Sequence, residues 1–315
     1  MLRDFVVLDD MRMSLRRSAQ PVLMIVGSCI SLQLGAAIAV PLLTQFGSGL
    51  ITSLRLLLAS LLLMLAFRPR PWGWSRSQWL AVFLFGVSLA GMNAFFYAAI
   101  ARIPLGIAVT IEFAGPLLLA AVLSRQLRDF AAVSAAALAI VMLGTDGSES
   151  RTDDIDRLGI LYALIAAAFW AFYIVAGKRL SARVSGHGPL PIAMFAAALA
   201  VIPFGTGALP DLVQRLDLVL PILGVAIFSS FIPYSLEFAA MRSLNSRTFG
   251  VLLSLEPAIA ALMGWVFLRQ PITFVQDIAI AVVIAASIFS TLGRTPTSSE
   301  PADRDPDGLS MPATP

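Results

Sequence analysis

Three glutamates, Glu112, Glu237 and Glu256, and one arginine, Arg55, stand inside stretches of this chain that otherwise carry no charge. A carboxylate accepts protons or cations, and a guanidinium offers a planar fork of donors that fits a carboxylate. In hydrocarbon such groups cost from about 2.5 to well over 10 kcal/mol each, so they normally face a polar cavity or one another. Two of the glutamates share a second feature. Glu112 opens Glu112-Phe113-Ala114-Gly115-Pro116, and Glu256 is followed directly by Pro257. Proline has no N–H, and its ring displaces the carbonyl four residues earlier. That carbonyl belongs to Glu112 in the first case and to Leu253 in the second. With Pro116 aligned on Pro257, Leu253 falls at the position of Glu112, so a freed carbonyl and a carboxylate meet at equivalent heights.

The elements that must position these groups are long apolar runs. The chain is 58% hydrophobic and only 13% charged, with a mean hydropathy of +0.85, against about 25% charged residues in soluble domains. Residues 22–43, 50–67, 79–100, 104–123, 130–145, 158–177, 190–205, 219–240, 248–268 and 275–292 are nearly free of charge. A spanning helix needs roughly 17–25 residues, and only 130–145 and 190–205 fall slightly short. No segment alternates with the period of two that a membrane barrel requires. The expected fold is therefore an all-α integral membrane protein of ten transmembrane helices. Arg16, Arg17 and Ala37-Ile38-Ala39 give the first run some likeness to a cleaved signal. Its apolar stretch is about twice the usual 7–15 residues, so it reads as a retained helix. The single cysteine, Cys29, lies inside it and allows no internal disulfide.

With the N-terminus inside, sixteen of the 22 Lys and Arg residues fall in cytoplasmic segments and five outside, Arg55 being embedded. The positive-inside rule then puts both termini in the cytoplasm. The sequence pI near 9.5 reflects this topology, and no nucleic-acid partner is expected. The connector 146–157, DGSESRTDDIDR, lies outside and lacks the glycine-kinked spacing of a calcium loop. His187, the only histidine, sits among Gly and Pro in the 6–7 loop. The tail from Arg294, rich in Pro, Ser and Asp, is expected to be disordered. No metal site and no cofactor are expected.

An offset of 141 aligns Tyr97–Asp129 with 238–270 without a gap, matching YAAI to FAAM and Leu127-Arg128 to Leu268-Arg269. Five spans per half is an odd number, so the second half enters the membrane in the opposite sense. Inverted repeats are a transporter signature, with the binding site near the midplane and discontinuous helices at matching places. The expected organisation is a cytoplasmic tail 1–21, a first five-helix repeat 22–145, the external loop 146–157, a second repeat 158–293 and a cytoplasmic tail 294–315.

At 1.5 Å per residue, Glu112 lies about 12 Å below the outer end of its helix and Glu256 about 12 Å above the inner end of its own. Both are then close to the middle of a core about 30 Å thick. Glu237 is about 5 Å from an inner helix end. Interfacial anchoring or a bridge to Arg242 or Arg247 suits it as well as substrate contact, and with Tyr234 and Ser235 it could form an inner gate. Arg55 either snorkels to the outer interface or pairs with a cavity glutamate. Gln33 and Asn93 are cavity candidates because lipid offers amides no partner. Tyr97 shares a face with Asn93, four residues away, whereas Trp170 and Tyr173 suit a boundary or packing.

Charge sign limits the solute. A phosphorylated substrate would need several basic groups, and only Arg55 is embedded. Two central carboxylates suit an ammonium group, and a zwitterion could set its own carboxylate near Arg55 or a helix N-end. Proton exchange at Glu112 or Glu256 would supply coupling. A membrane enzyme would need a nucleophile–base pair or metal ligands, and one loop histidine and one buried cysteine serve that poorly. A channel or passive facilitator, and an exporter of broader drug or metabolite range, remain alternatives. A homodimer stays open too, since small-residue faces such as Gly86 and Ala90 pack helices within or between chains equally well.

PYSLE at 233–237, RTFG at 247–250, LEPAIAAL at 255–262, GMNAFFYAAI at 91–100, PLGIAVTIEFAGPL at 104–117 and IAAS at 284–287 resemble the threonine and homoserine exporters, a branch of the EamA-type drug/metabolite transporters. The resemblance runs through roughly residues 22–293. It implies ten helices in two EamA repeats, a plasma (inner) membrane location and export of small amino acids. Glu112, Glu237 and Glu256 fall within its motifs. Arg269-Gln270 departs from the Gly-Glu that ends helix 9 in many members, and helix 10 lacks a usual glycine.

Overall fold

The computed structural model describes residues 2–124, 126–145, 156–184, 188–241 and 252–292, and its long elements are all helical. Helix α1 (Leu2–Phe46) hands over to α2 (Ser48–Phe67) through Gly47 alone. At φ 80 this residue is in a region that side chains rarely adopt, so the chain reverses there. α3 (Arg76–Ile100) opens on a capping box: the Ser75 hydroxyl accepts from the Gln78 N–H while the Gln78 carboxamide accepts from the Ser75 N–H. There follow α4 (Leu105–Glu112), α5 (Ala114–Ser124) and α6 (Leu127–Thr145).

Asp156 caps α7 (Arg157–Ser181), accepting from the Leu158 N–H at 2.8 Å and from Arg102 at 2.7 Å. The Arg102 bond first, and the Leu158 N–H second, hold this exposed carboxyl below its ordinary range. α8 (Pro189–Val201) runs into a 3-10 turn, and the chain bends by 72° before α9 (Leu209–Val213). Pro203 and Gly205 sit at that bend, and a Cβ on Gly205 would stand 2.3 Å from the Leu50 nitrogen. The second half closes with α10 (Val219–Ala226), a π-helical turn (Ile227–Phe231), α11 (Ile232–Met241), α12 (Glu256–Leu268) and α13 (Phe274–Leu292).

Among the described residues seven helical spans are long and apolar enough to cross a membrane, and the bent segment 189–212 makes eight if taken as one. The helices overlap the runs expected from hydropathy but do not reach the ten spans expected, since α6 is not among the seven and α12 is only 13 residues long. Two further differences concern the ends of runs. α1 reaches back to Leu2, well before residue 22, because nothing between Leu2 and Gln20 breaks a helix. The run 190–205 bends at its end for the reason just given. Only 156 and 157 of the acidic connector are described; His187, Arg242, Arg247 and the tail from Arg294 lie outside the described residues.

α1 packs on α11 and the π turn, α2 on α8, α3 on α7, α4 on α12, and α6 on α13. Small residues let these helices approach. A Cβ on Gly35 would meet the Ser229 nitrogen at 2.4 Å, and one on Gly106 would meet the Ala261 Cα at 2.7 Å. Large apolar side chains such as Leu65, Leu123 and Trp265 point outward, as they do when the surrounding solvent is hydrocarbon.

Candidate functional site

Arg55 is 2% exposed, so it neither snorkels nor, among the described residues, meets a carboxylate within ion-pair distance. Both expected arrangements are thus replaced by a third. Its Nη1 donates to the Ser229 carbonyl at 3.1 Å and to the Ser229 hydroxyl at 3.2 Å. Its Nη2 donates to Asn93 Oδ1. The guanidinium also lies 4.5 Å from the centroid of the Tyr97 ring, a cation–π distance. Tyr97 in turn donates its hydroxyl to Ser229 Oγ at 3.1 Å. Asn93 and Tyr97, one turn apart on α3, therefore serve the same cation, and Arg55 fails to snorkel because this polar bed substitutes for water.

Ser229 was invisible to pattern reading, and the signal that marks it is Pro233. Proline at 233 has no N–H for the carbonyl four residues earlier, which is that of Ser229. The backbone widens to a π turn over Ile227–Phe231, where the Ile232 N–H reaches the Ile227 carbonyl. Arg55 takes the freed oxygen. The same rule that singles out Pro116 and Pro257 thus accounts for a third break.

At Pro116, the helix is interrupted at Phe113, between α4 and α5. At Pro257, it is interrupted at Ser254–Leu255, and α12 starts at Glu256. In the offset of 141, Phe113 aligns with Ser254, so the two interruptions are equivalent. Both prolines sit in the first turn of the following helix, where a missing N–H costs nothing. Glu256 accepts from Gln33 Nε2 on α1 at 2.9 Å and is buried. Glu112 is buried too, lies within electrostatic range of Arg55 and Glu256, and receives no hydrogen bond from any described residue.

Glu237 belongs to the same polar seam from the other side. It accepts from Ser28 of α1 at 2.6 Å and is half-buried. Tyr234, half-buried, packs against the cluster around Leu56 and Leu63 and lies in electrostatic range of Arg55, Glu112 and Glu237. Trp170 and Tyr173 are packing residues, edge-on to Phe113 at 4.9 Å and against Phe85 at 4.7 Å. Four buried polar atoms here have no partner among the described residues: Gln33 Oε1, Thr52 Oγ1, Arg55 Nε and Ser230 Oγ. Thr52 is one turn before Arg55 on α2, and Ser230 follows Ser229. A buried polar atom without a partner costs about 1–3 kcal/mol, so the cluster is built to receive polar groups.

The EamA-like transporter family model matches residues 157–292. The threonine/homoserine exporter RhtA of Escherichia coli is 39% identical over 274 residues, covering 86% of this chain and 91% of that protein. Its counterpart of the same name in Salmonella typhimurium is 40% identical over 278 residues, with the same 86% and 91% coverage. The uncharacterised transporter YxxF of Bacillus subtilis is 25% identical over 229 residues, 70% of this chain and 72% of that one. A crystal structure 20% identical in sequence superposes with a TM-score of 0.56 over 86% of this chain and 96% of its own, a likeness of fold.

Proposed function

From the EamA-like transporter family, to which this chain belongs, we propose that it exports small zwitterionic amino acids such as threonine and homoserine across the plasma (inner) membrane. One observation carries the reading: among the described residues Arg55 is a buried cation without a carboxylate partner and Glu112 a buried carboxylate without a donor, and Glu112 lies within the electrostatic range of Arg55. Isolated buried charges are expensive. A zwitterion compensates both at once, its carboxylate at Arg55 and its ammonium at Glu112. The unpartnered atoms beside Arg55 agree in sign, since Arg55 Nε and the hydroxyls of Thr52 and Ser230 can all donate. The carriers named threonine/homoserine exporters, at 39–40% identity over most of the chain, supply the substrate class.

Ten spans in two inverted repeats, with both termini cytoplasmic, remain our reading of the topology. The helix pairs support it, because they map onto themselves when the halves are exchanged. α1 on α11 becomes α7 on α3, while α2 on α8, α4 on α12 and α6 on α13 each return to the same pair. Transport proceeds by alternating access around the Arg55 cluster, with the discontinuities at Phe113 and Ser254 as the flexible points and Tyr234 and Glu237 toward the cytoplasmic side. Proton exchange at Glu112 or Glu256 couples export to the proton gradient.

The test is to load proteoliposomes with labelled threonine, homoserine and a panel of other solutes, with and without a proton gradient. Selective, gradient-driven efflux of the two amino acids is expected. Efflux indifferent to the gradient would mark a facilitator, and efflux of the whole panel a broad exporter. If Glu112→Gln and Glu256→Gln variants kept the wild-type pH dependence, the coupling role would be lost.

A further inference from the structure

Resting on the zwitterion reading of the same site, we infer that the carboxamide oxygen of Gln33 receives the side-chain hydroxyl of the transported amino acid, making Gln33 the residue that selects hydroxylated substrates over their deoxy analogues. Gln33 is 1% exposed on α1. Its Nε2 is committed to Glu256 Oε1 at 2.9 Å, while its Oε1 has no partner among the described residues. The commitment orients the amide: with its NH₂ side turned to Glu256, its carbonyl oxygen is the part left over. What Gln33 then offers is a single neutral acceptor, fixed in direction and out of water.

The unpartnered atoms of the site differ in what they offer. Arg55 Nε can only donate, as a carboxylate requires, the hydroxyls of Thr52 and Ser230 can donate or accept, and Gln33 Oε1 alone can only accept. A neutral acceptor is a poor seat for an ammonium, which carries three N–H groups and a full charge and finds Glu112 within range of Arg55. A hydroxyl needs one acceptor and no counter-charge. Threonine and homoserine each carry one hydroxyl, at different carbons, and both become 2-aminobutyrate when it is removed. An apolar pocket discriminates weakly between such molecules, whereas a pocket with a buried hydrogen-bonding group rejects the analogue that leaves the group unpaired.

The experiment measures inhibition of labelled threonine exchange in proteoliposomes by unlabelled threonine, homoserine and 2-aminobutyrate, for the wild type, Gln33→Met and Gln33→Glu. Wild type should prefer the two hydroxylated amino acids by at least about tenfold. Gln33→Met, similar in volume, should bring the three to parity by weakening the hydroxylated pair alone. Gln33→Glu, which as a neutral acid donates to Glu256 and keeps a free acceptor oxygen, should retain the preference. Equal weakening of all three in Gln33→Met, or a wild type that treats 2-aminobutyrate like threonine, overturns the assignment but leaves amino acid export standing. No exchange of any of the three by the wild type overturns both.

Discussion

The guanidinium of Arg55 lies over the face of the Tyr97 ring, 4.5 Å from its centroid, and the two side chains share Ser229 as a hydrogen-bond partner. The ring face compensates part of the buried charge and the phenol fixes the serine, so the two contributions separate by mutation. Tyr97→Phe keeps the ring and loses one neutral hydrogen bond, about 1 kcal/mol, and should raise the threonine KM roughly fivefold at most. Tyr97→Leu also removes a desolvated cation–π contact of about 2 kcal/mol and should cost considerably more. Equal effects in concentration-dependent uptake would mean that the ring face contributes nothing.

Pro233 exposes the Ser229 carbonyl that Arg55 uses. Pro233→Ala restores an N–H able to take that oxygen and convert the π turn into regular α-helix. Transport affinity should fall while melting temperature holds or rises, a divergence that thermal unfolding and uptake on the same preparation would reveal. Unchanged affinity would detach the π turn from the site.

Glycine at 115 is dictated by contact, because a Cβ there would stand 2.0 Å from the Ala167 carbonyl oxygen. Gly115→Ala should destabilise by about 1–3 kcal/mol through forced separation of α5 from α7. Gly224 of α10 has open space around it, so Gly224→Ala should be neutral or gain up to about 1 kcal/mol. Detergent-solubilised melting curves compare the two directly.

Arg269 ends α12 with φ 51 and ψ 33, left-handed geometry that glycine adopts without strain. The Gln270 N–H closes back to the Gly264 carbonyl at 3.1 Å, a glycine-favouring terminus. Arg269→Gly should therefore stabilise by about 1 kcal/mol, read as a rise in melting temperature. Gln270 is another matter: its Oε1 caps the Leu105 N–H at 3.1 Å, tying α12 to the start of α4, and Gln270→Leu should lose that cap.

Much of this was legible in the sequence, for physical reasons. Hydrocarbon enforces long uncharged runs, so the helices could be read from composition, and the prolines at 116 and 257 announced the interruptions at Phe113 and Ser254. Embedded charges announced Arg55, Glu112, Glu237 and Glu256. The serines did not announce themselves, because a helical serine can always bond a carbonyl one turn back, as Ser235 does to Phe231 at 2.6 Å. Ser229 does so as well, to Val225 at 2.5 Å, and only Pro233 sets it apart. The partner of Arg55 was equally hidden, since charge pairing suggested a glutamate while the freed carbonyl, an amide and a ring together took its place. The bend after Val201 arises from Pro203 and from the close approach of Gly205 to Leu50, a contact no local pattern encodes.

The central claim is that Arg55 receives the carboxylate of the substrate, and the most direct measurement is competition by threonine methyl ester, which keeps the ammonium and hydroxyl but has no carboxylate. In proteoliposomes containing wild-type protein, excess ester should leave labelled threonine exchange nearly untouched, and Arg55→Leu should abolish high-affinity exchange. An ester that competes as well as threonine, or an Arg55→Leu variant with wild-type affinity, would contradict the account.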